Sequence, residues 1–367
     1  MTLLIFIVLL CYIILIIQYR FGWDNIKKNK STIFTPTVSV VISIRNEENK
    51  IVQLLKSLQA QIYPKDKLEF ILVNDHSTDN SLSILKGLQF DQLKIIDLPD
   101  EDFGKKNAIK KAVSVAGGEI ILASDADCIF SPNWVQVMVR YFDDDSVKLV
   151  SGPVIYHKKQ GFFQSIQTLE FISLISSGAG AIGIGNAIFC NGANMAYRKN
   201  VFIERNIFFE DSIASGDDVF LLHSVKSKYP NSITFAKDER AIVFTDGEQN
   251  FNGFINQRKR WASKSTRYKD IASIYASYIV LFVNLSIVSL LCMSFFNFQL
   301  MNLLLVIYLI KYITDIVLLY PALKFFKRQD LIKWIFPFEL FYSFYIVLIA
   351  LLSVTNKFEW KGRIHNK

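Results

Sequence analysis

The chain has 367 residues, 51% hydrophobic and 20% charged, with 41 Lys and Arg against 33 Asp and Glu and four Cys. A chain this apolar does not stay unfolded and soluble, and so few Cys exclude a disulfide-built scaffold. The length accommodates one large domain or two smaller ones, so the apolar surplus needs locating.

It begins at the N-terminus. Residues 1–19 carry no charge, and Arg20, Lys27, Lys28 and Lys30 come directly after. At about 1.5 Å per residue, roughly 19 residues nearly cross a bilayer. There is no basic n-region and no small-residue cleavage site, so residues 1–20 read as a retained transmembrane anchor. The basic cluster behind the anchor predicts a cytoplasmic location for the chain beyond it.

Residues 36–268 read as a soluble α/β domain. Residues 38–44 (VSVVISI), 70–74 (FILVN), 93–98 and 119–123 are expected strands. Residues 47–58 have apolar side chains at 51, 54, 55 and 58, the spacing of a helix. Strand and helix in alternation predict a mostly parallel, Rossmann-like sheet covered by helices, with ligands beyond the carboxyl ends of the strands.

Polar clusters fall at those ends: Arg45-Asn46-Glu47-Glu48, then Asn74-Asp75-His76-Ser77-Thr78-Asp79, then Ser124-Asp125-Ala126-Asp127. One such cluster is as readily a helix cap, and Ser77 or Asp79 fits that reading. Three at successive strand ends point to a site. Asp125 and Asp127, two residues apart in a turn, suit one hard divalent cation, although a lone D-x-D is more often a solvated acidic loop. Lys105, behind Gly104, can reach a phosphate or simply open a solvated helix.

Residues 162–189 have apolar positions at 162, 166, 169 and 172, then the run GAGAIGIG. That run does not follow a strand and open a helix, as a dinucleotide fingerprint does. A pair of amphipathic helices on the membrane surface is expected there, or equally a plain core helix. Residues 192–198 (GANMAYR) read as a loop leading into a short element. Ser215-Gly216-Asp217-Asp218 opens an apolar helix, where the acidic pair is a cap or holds a general base. Gln257-Arg258-Lys259-Arg260-Trp261 lies before the next apolar region and alone reads as an interfacial anchor.

Residues 271–310 are uncharged, enough for two helices with a turn near Asn297, Gln299 and Asn302. The second is expected to end near Tyr320 and carries Lys311 and Asp315 one turn apart, read as a salt bridge facing other helices. Residues 334–355 are a third stretch, broken only by Pro337 and Glu339. Residues 271–355 thus hold two to three spans, the last crossing or re-entrant around Pro337. Three spans behind an N-out anchor place the C-terminus outside, against the basic Lys357, Lys361, Arg363 and Lys367.

The net charge of +8 is no nucleic-acid footprint, because residues 36–250 carry 22 basic and 27 acidic side chains. The basic excess flanks the membrane segments. Cys11 and Cys292 fall in those segments and Cys128 and Cys190 in the soluble part, without metal-ligand spacing; reduced thiols are expected.

In their order, PTVSVVISIRNEE, FILVNDHSTDNS, GKKNAI, SDADC, GANMAYRK, SGDDVFLL and QRKRW resemble the membrane-bound family 2 glycosyltransferases, inverting enzymes of the GT-A fold. The resemblance implies that Arg45, Asn46 and Glu47 line a nucleotide pocket, with Asp75 reading the base and Lys105 near the base or diphosphate. It implies that Asp125 contacts ribose or metal and that Asp127 ligates Mg²⁺ or Mn²⁺. Asp218 matches the catalytic base, and Asp217 stands where the family's acidic pair begins with Glu. Gln257, Arg260 and Trp261 match the QxxRW motif that closes over the diphosphate and the acceptor end. The implied partners are a nucleotide-sugar donor, UDP-linked by expectation, a lipid or growing glycan acceptor, and the bilayer, with no nucleic acid. The expected location is a bacterial plasma membrane with the catalytic domain cytoplasmic. Two other classes stay open: a nucleotide-binding transporter or receptor without transfer activity, and a metal-dependent nucleotidyltransferase.

Overall fold

Runs of β-branched residues become the sheet. In the computed structural model, which describes residues 2–27, 34–88, 90–203, 217–265, 267–353, 357–360 and 363–366, the chain opens with a long helix. This is α1 (Thr2–Asn25), followed by β1 (Val38–Ile44), α2 (Ile51–Gln59), β2 (Leu68–Asn74), α3 (Ser81–Gly87), β3 (Leu93–Asp97), α4 (Lys105–Val115) and β4 (Ile120–Asp125). Next come α5 (Trp134–Val139), β5 (Leu149–Ser151), β6 (Val154–Tyr156), α6 (Phe162–Gly183), β7 (Met195–Arg198) and α7 (Lys199–Ile203). After these stand α8 (Asp217–Lys228), β8 (Ile233–Phe235), β9 (Val243–Thr245) and α9 (Phe251–Ser265). Three long helices, α10 (Ile271–Ser294), α11 (Gln299–Phe325) and α12 (Ile332–Ser353), precede a hairpin of β10 (Lys357–Trp360) and β11 (Arg363–Asn366).

The main sheet has the order β3-β2-β1-β4-β7-β5-β8. Strands β3, β2, β1 and β4 are parallel, and β7 runs antiparallel to β4 and β5. Val40, Val41, Ile42 and Ile44 of β1 are buried, as expected of a strand covered on both faces. β4 runs past the expected Ala123 because Ser124 and Asp125 stay in register with Ile42 and Ser43 of β1. The chain builds outward from β1 to β3 and then returns to the other side of β1 with β4. The order in which the chain adds strands therefore reverses between β1 and β4, where open α/β sheets bind ligands.

Over residues 162–189, where a pair of surface helices or a plain core helix is expected, the chain forms one helix, α6, buried along much of its length. Its small residues serve backbone contact. A Cβ on Gly180 would lie 2.3 Å from the Tyr19 carbonyl oxygen, and one on Gly183 would lie 2.0 Å from that of Gly22. Small residues on both helices allow α1 and α6 to cross this closely. Trp23 extends the junction: its ring lies 5.6 Å from Phe325 and 6.3 Å from Phe235, and Lys237 Nζ donates to its carbonyl oxygen at 2.5 Å.

Among the described residues, four helices are long and apolar enough to cross a membrane: α1, α10, α11 and the segment Gln329–Ser353 containing α12. Leu10, Leu305, Phe341 and Leu351 are exposed on them, where a helix in water would carry polar residues. The turn expected near Asn297 separates α10 from α11, while α11 continues through Pro321 to Phe325 rather than ending near Tyr320. α12 runs unbroken through Pro337, without the loop that a re-entrant segment needs. Lys311 pairs with Asp315 at 2.7 Å as expected, and equally with Glu339 of α12 at 2.7 Å. Tyr12 of α1 donates its hydroxyl to Asp315. Lys28, Lys30, Ser215, Gly216, Lys361 and Lys367 lie outside the described residues, as do the side chains of Asp217, Lys357 and Arg363.

Candidate active site

The carboxyl ends of β1 and β2 are stitched together. Asn46 and His76 both take positive φ, 51° and 53°, which turns each chain sharply out of its strand. The Asn46 side chain accepts the Thr78 N–H at 2.8 Å, Ser81 Oγ accepts the Glu47 N–H at 2.7 Å, and Asp79 accepts the Glu48 N–H at 3.1 Å. Arg45 donates to the carbonyl oxygens of Asp75 at 2.7 Å and His76 at 3.1 Å. Much of the polarity in the first two clusters is thus used to hold two loops against each other. Asp75 is fully buried and accepts the Gly104 N–H at 2.9 Å. Gly104 has φ 92°, a conformation that favours glycine, and from it α4 sets off with Lys105 at its start.

Beyond these ends lies a cavity of about 1350 Å³. Arg45, Glu47, Lys105, Asp125 and Asp127 line it from the sheet side. Asp218, Gln257, Arg260 and Trp261 line it from α8 and α9. Neither Asn46, which is exposed, nor Asp75, which is buried, lines it. The cavity continues past α9 to Leu15 and Ile16 of α1, Val280 and Leu281 of α10, and Ile346 and Ile349 of α12. One end is polar and ionised; the other is apolar and lies among the membrane helices.

Within the polar end the carboxylates are directed. Lys105 pairs with Asp125, and Asp127 accepts the Thr245 hydroxyl at 2.9 Å. Asp218 accepts the Gly192 N–H at 3.0 Å and that of Val219 at 2.9 Å, with Lys264 Nζ at 3.8 Å. A Cβ on Gly192 would sit 3.2 Å from Asp218 Oδ2, so the bare backbone lets this loop reach the carboxylate. Burial depresses the pKa of Arg260, opposed by Asp125 and Asp218, so a cation is held in a partly desolvated place facing acids. At the rim, burial would raise the pKa of Asp246, but bonds from Lys159 and Lys50 hold it at about 2. That carboxylate stays ionised at neutral pH.

Asp125 and Asp127 offer hard oxygen ligands to the cavity. Among the described residues no group of three or more His, Cys, Asp or Glu is placed to hold a metal ion. The protein would supply one or two ligands and leave other positions to phosphate oxygens and water. Mg²⁺ is commonly held this way, and the carboxylate donors equally suit Mn²⁺.

Residues 39–205 match the family model of Glycosyl transferase family 2. The chain carries a family 2 glycosyltransferase domain. Over 216 residues it is 26% identical to Glycosyltransferase AglE of Haloferax volcanii, covering 55% of this chain and 65% of that protein. Over 233 residues it is 25% identical to a poly-beta-1,6-N-acetyl-D-glucosamine synthase of Staphylococcus epidermidis, covering 61% of this chain and 53% of that one. The match thus spans less than two thirds of either relative. In fold, the chain is similar to the mannosyltransferase PcManGT of Pyrobaculum calidifontis, solved with GDP-Man and Mn²⁺. The TM-score is 0.62, with 17% identity, over 96% of this chain and 99% of that one. The GT-A-like architecture accounts for the parallel half-sheet and for the cavity at its reversal point.

Several residues in and around the cavity escape a reading of the motifs. Arg258 occupies an unspecified position of QxxRW, yet it is buried, with Nε 3.0 Å from Glu170 Oε1 and 3.1 Å from Oε2. Glu170 was legible in principle, because a lone acid inside an apolar helix needs a partner. Thr245, Asp246 and Lys264 carried no local signal. Asn194, inside the GANMAYRK motif, is a packing residue: its amide donates to the carbonyls of Pro153 and Ala241, and its oxygen accepts the Trp134 indole N–H.

Proposed function

We propose that this chain transfers a sugar from a nucleotide-sugar donor to a membrane lipid acceptor, inverting the anomeric carbon in one displacement. The observation that carries the reading is one continuous cavity, with Asp125, Asp127, Asp218 and Arg260 at one end and apolar faces of α1, α10 and α12 at the other. A soluble acceptor has no need of the apolar end.

In this reading the donor diphosphate lies between Lys105 and Arg260, with the nucleotide against Arg45, Glu47 and the wall that Asp75 braces. UDP is the proposed nucleotide. Asp127, with Asp125, holds Mg²⁺ or Mn²⁺, which when bound offsets charge on the diphosphate. Arg260 and Lys105 offset the charge growing on the leaving oxygen, more effectively for being partly desolvated. Asp218 takes the acceptor proton when the acceptor is a hydroxyl. When it is a lipid phosphate no base is required, and Asp218 and Lys264 position it. Asp217 belongs to the same acidic pair. Gln257 and Trp261 cover the diphosphate and acceptor end. Residues 36–268 form the catalytic unit on the cytoplasmic face of a bacterial plasma membrane, held by residues 1–20 and 271–355.

The test is a panel of labelled UDP- and GDP-sugars with purified protein, Mn²⁺ or Mg²⁺, and a polyprenyl phosphate. Release of the nucleoside diphosphate with a lipid-linked sugar supports the reading. Polymer without the lipid shifts the acceptor to a growing glycan, as the named activity of the Staphylococcus relative suggests. Pyrophosphate release marks a nucleotidyltransferase, and binding without turnover of any donor leaves a transporter or receptor.

A further inference from the structure

α9 carries Gln257, Arg260 and Trp261 into the cavity, yet only Phe254 and Arg258 of this helix are buried. Those two side chains are its deepest contacts, with Trp261 half-buried beside them against Phe171. Arg258 and Glu170 of α6 have side chains 2% and 5% exposed. The guanidinium engages the carboxylate through Nε at 3.0 and 3.1 Å and through a second nitrogen, Nη2. Tyr345 of α12 donates its hydroxyl to Glu170 Oε1 at 3.0 Å. The rings of Phe254 and Trp261 each lie 4.4 Å from the guanidinium carbon. One buried carboxylate thus joins a catalytic-domain helix, α9 and a membrane helix.

We infer that Glu170, Arg258 and Tyr345 are positioning residues that set the register of α9 and so place Arg260 and Trp261 over the donor; the inference rests on the proposed sugar transfer. The physical argument is directional. Anchoring alone is served as well by apolar side chains, because replacing a buried ion pair with packed hydrophobes is often neutral or stabilising. A planar fork on a carboxylate restricts both rotation and sliding of the helix that bears it. Trp261 is one turn along from Arg258 and stacks on its cation, so the fork and the ring move together.

The test uses the full chain in detergent or nanodiscs, with turnover expressed per nucleotide-binding site to correct for folded fraction. Glu170→Gln and Arg258→Lys are expected to lower kcat by about 10–100-fold, with donor KM held within about threefold. Arg258→Lys fails to rescue because it keeps the charge but loses the fork. Tyr345→Phe gives a smaller loss in the same direction. The discriminating variant is Glu170→Leu/Arg258→Met, expected to recover thermal stability relative to the single variants but not kcat. Recovery of kcat together with stability, or wild-type kcat in the single variants, overturns the inference and leaves a plain structural pair. If the unmodified chain transfers no sugar, the functional reading fails. Hydrogen exchange over residues 251–265 then decides the lock by itself. Exchange about tenfold faster in the double variant supports it, and equal exchange overturns it.

Discussion

Asp218 is held for its proposed task by two backbone N–H groups and a nearby ammonium. The bonds from Gly192 and Val219 orient the carboxylate, and Lys264 at 3.8 Å keeps its surroundings cationic. Asparagine preserves the shape and removes the capacity to take a proton. Asp218→Asn is expected to lower transfer to a hydroxyl acceptor by about 10²–10⁴-fold while nucleotide affinity stays unchanged by calorimetry. Near-normal turnover on that acceptor removes the base role. Asp127 is the corresponding test of the metal. Its carboxylate lines the cavity, and the Thr245 hydroxyl bonded to Oδ2 orients it there. Asp127→Asn is expected to weaken nucleotide binding in Mn²⁺ by about 10–100-fold, and to leave binding in EDTA as in the unmodified protein. Equal losses in both conditions place Asp127 outside the metal site.

At the scale of elements, α6 bears the most consequence. Its C-terminal end presses on α1 through Gly180 and Gly183, and its middle holds Glu170, Phe171 and Ser173 against the cavity. A change at the crossing therefore reaches the site through one rigid helix. Gly180→Val places atoms where the Tyr19 carbonyl already sits, and overpacking of this kind costs about 1–3 kcal/mol. A lower thermal midpoint in detergent is the expected result. Gly87→Ala is the control, because nothing lies within 4 Å of its Cβ and Ala is the better helix former; no loss is expected there. If the two variants melt alike, the close crossing is not what joins the anchor to the domain.

At the scale of the whole molecule, the membrane helices are joined through buried charge. Lys311 is fully buried and answers Asp315 on its own helix and Glu339 on α12, while Tyr12 brings in α1. Asn284 of α10 accepts from Ser343 of α12 at 2.8 Å, adding a second polar contact within the bundle. In an apolar surround these groups depend on one another, because none has water to return to. Lys311→Met leaves two carboxylates without their cation and is expected to cost about 3–5 kcal/mol in denaturant unfolding. Replacing Lys311, Asp315 and Glu339 together by apolar residues is expected to restore most of that loss. A triple variant no better than the single one would show a role beyond neutralisation.

Sequence alone determined the first four strands and the polar clusters at their carboxyl ends. Strand β1 matched its expected span and the other three strands shifted by at most two residues, because a strand buried on both faces writes itself as a β-branched run. The membrane segments were legible for a similar reason: lipid admits no charge that is not paired. Nine of the candidate site residues, from Arg45 to Trp261, line the cavity, whereas the exposed Asn46 and the buried Asp75 do not. Tertiary structure decided what motifs and periodicity do not encode. It made residues 162–183 one buried helix, set by a backbone contact with a segment some 160 residues away. It also turned Arg258 from an unspecified letter of a motif into the partner of Glu170. Periodicity records which face of an element is apolar. It does not record which distant element meets that face, and both the seat of α9 and the course of the cavity into the membrane helices depend on such meetings.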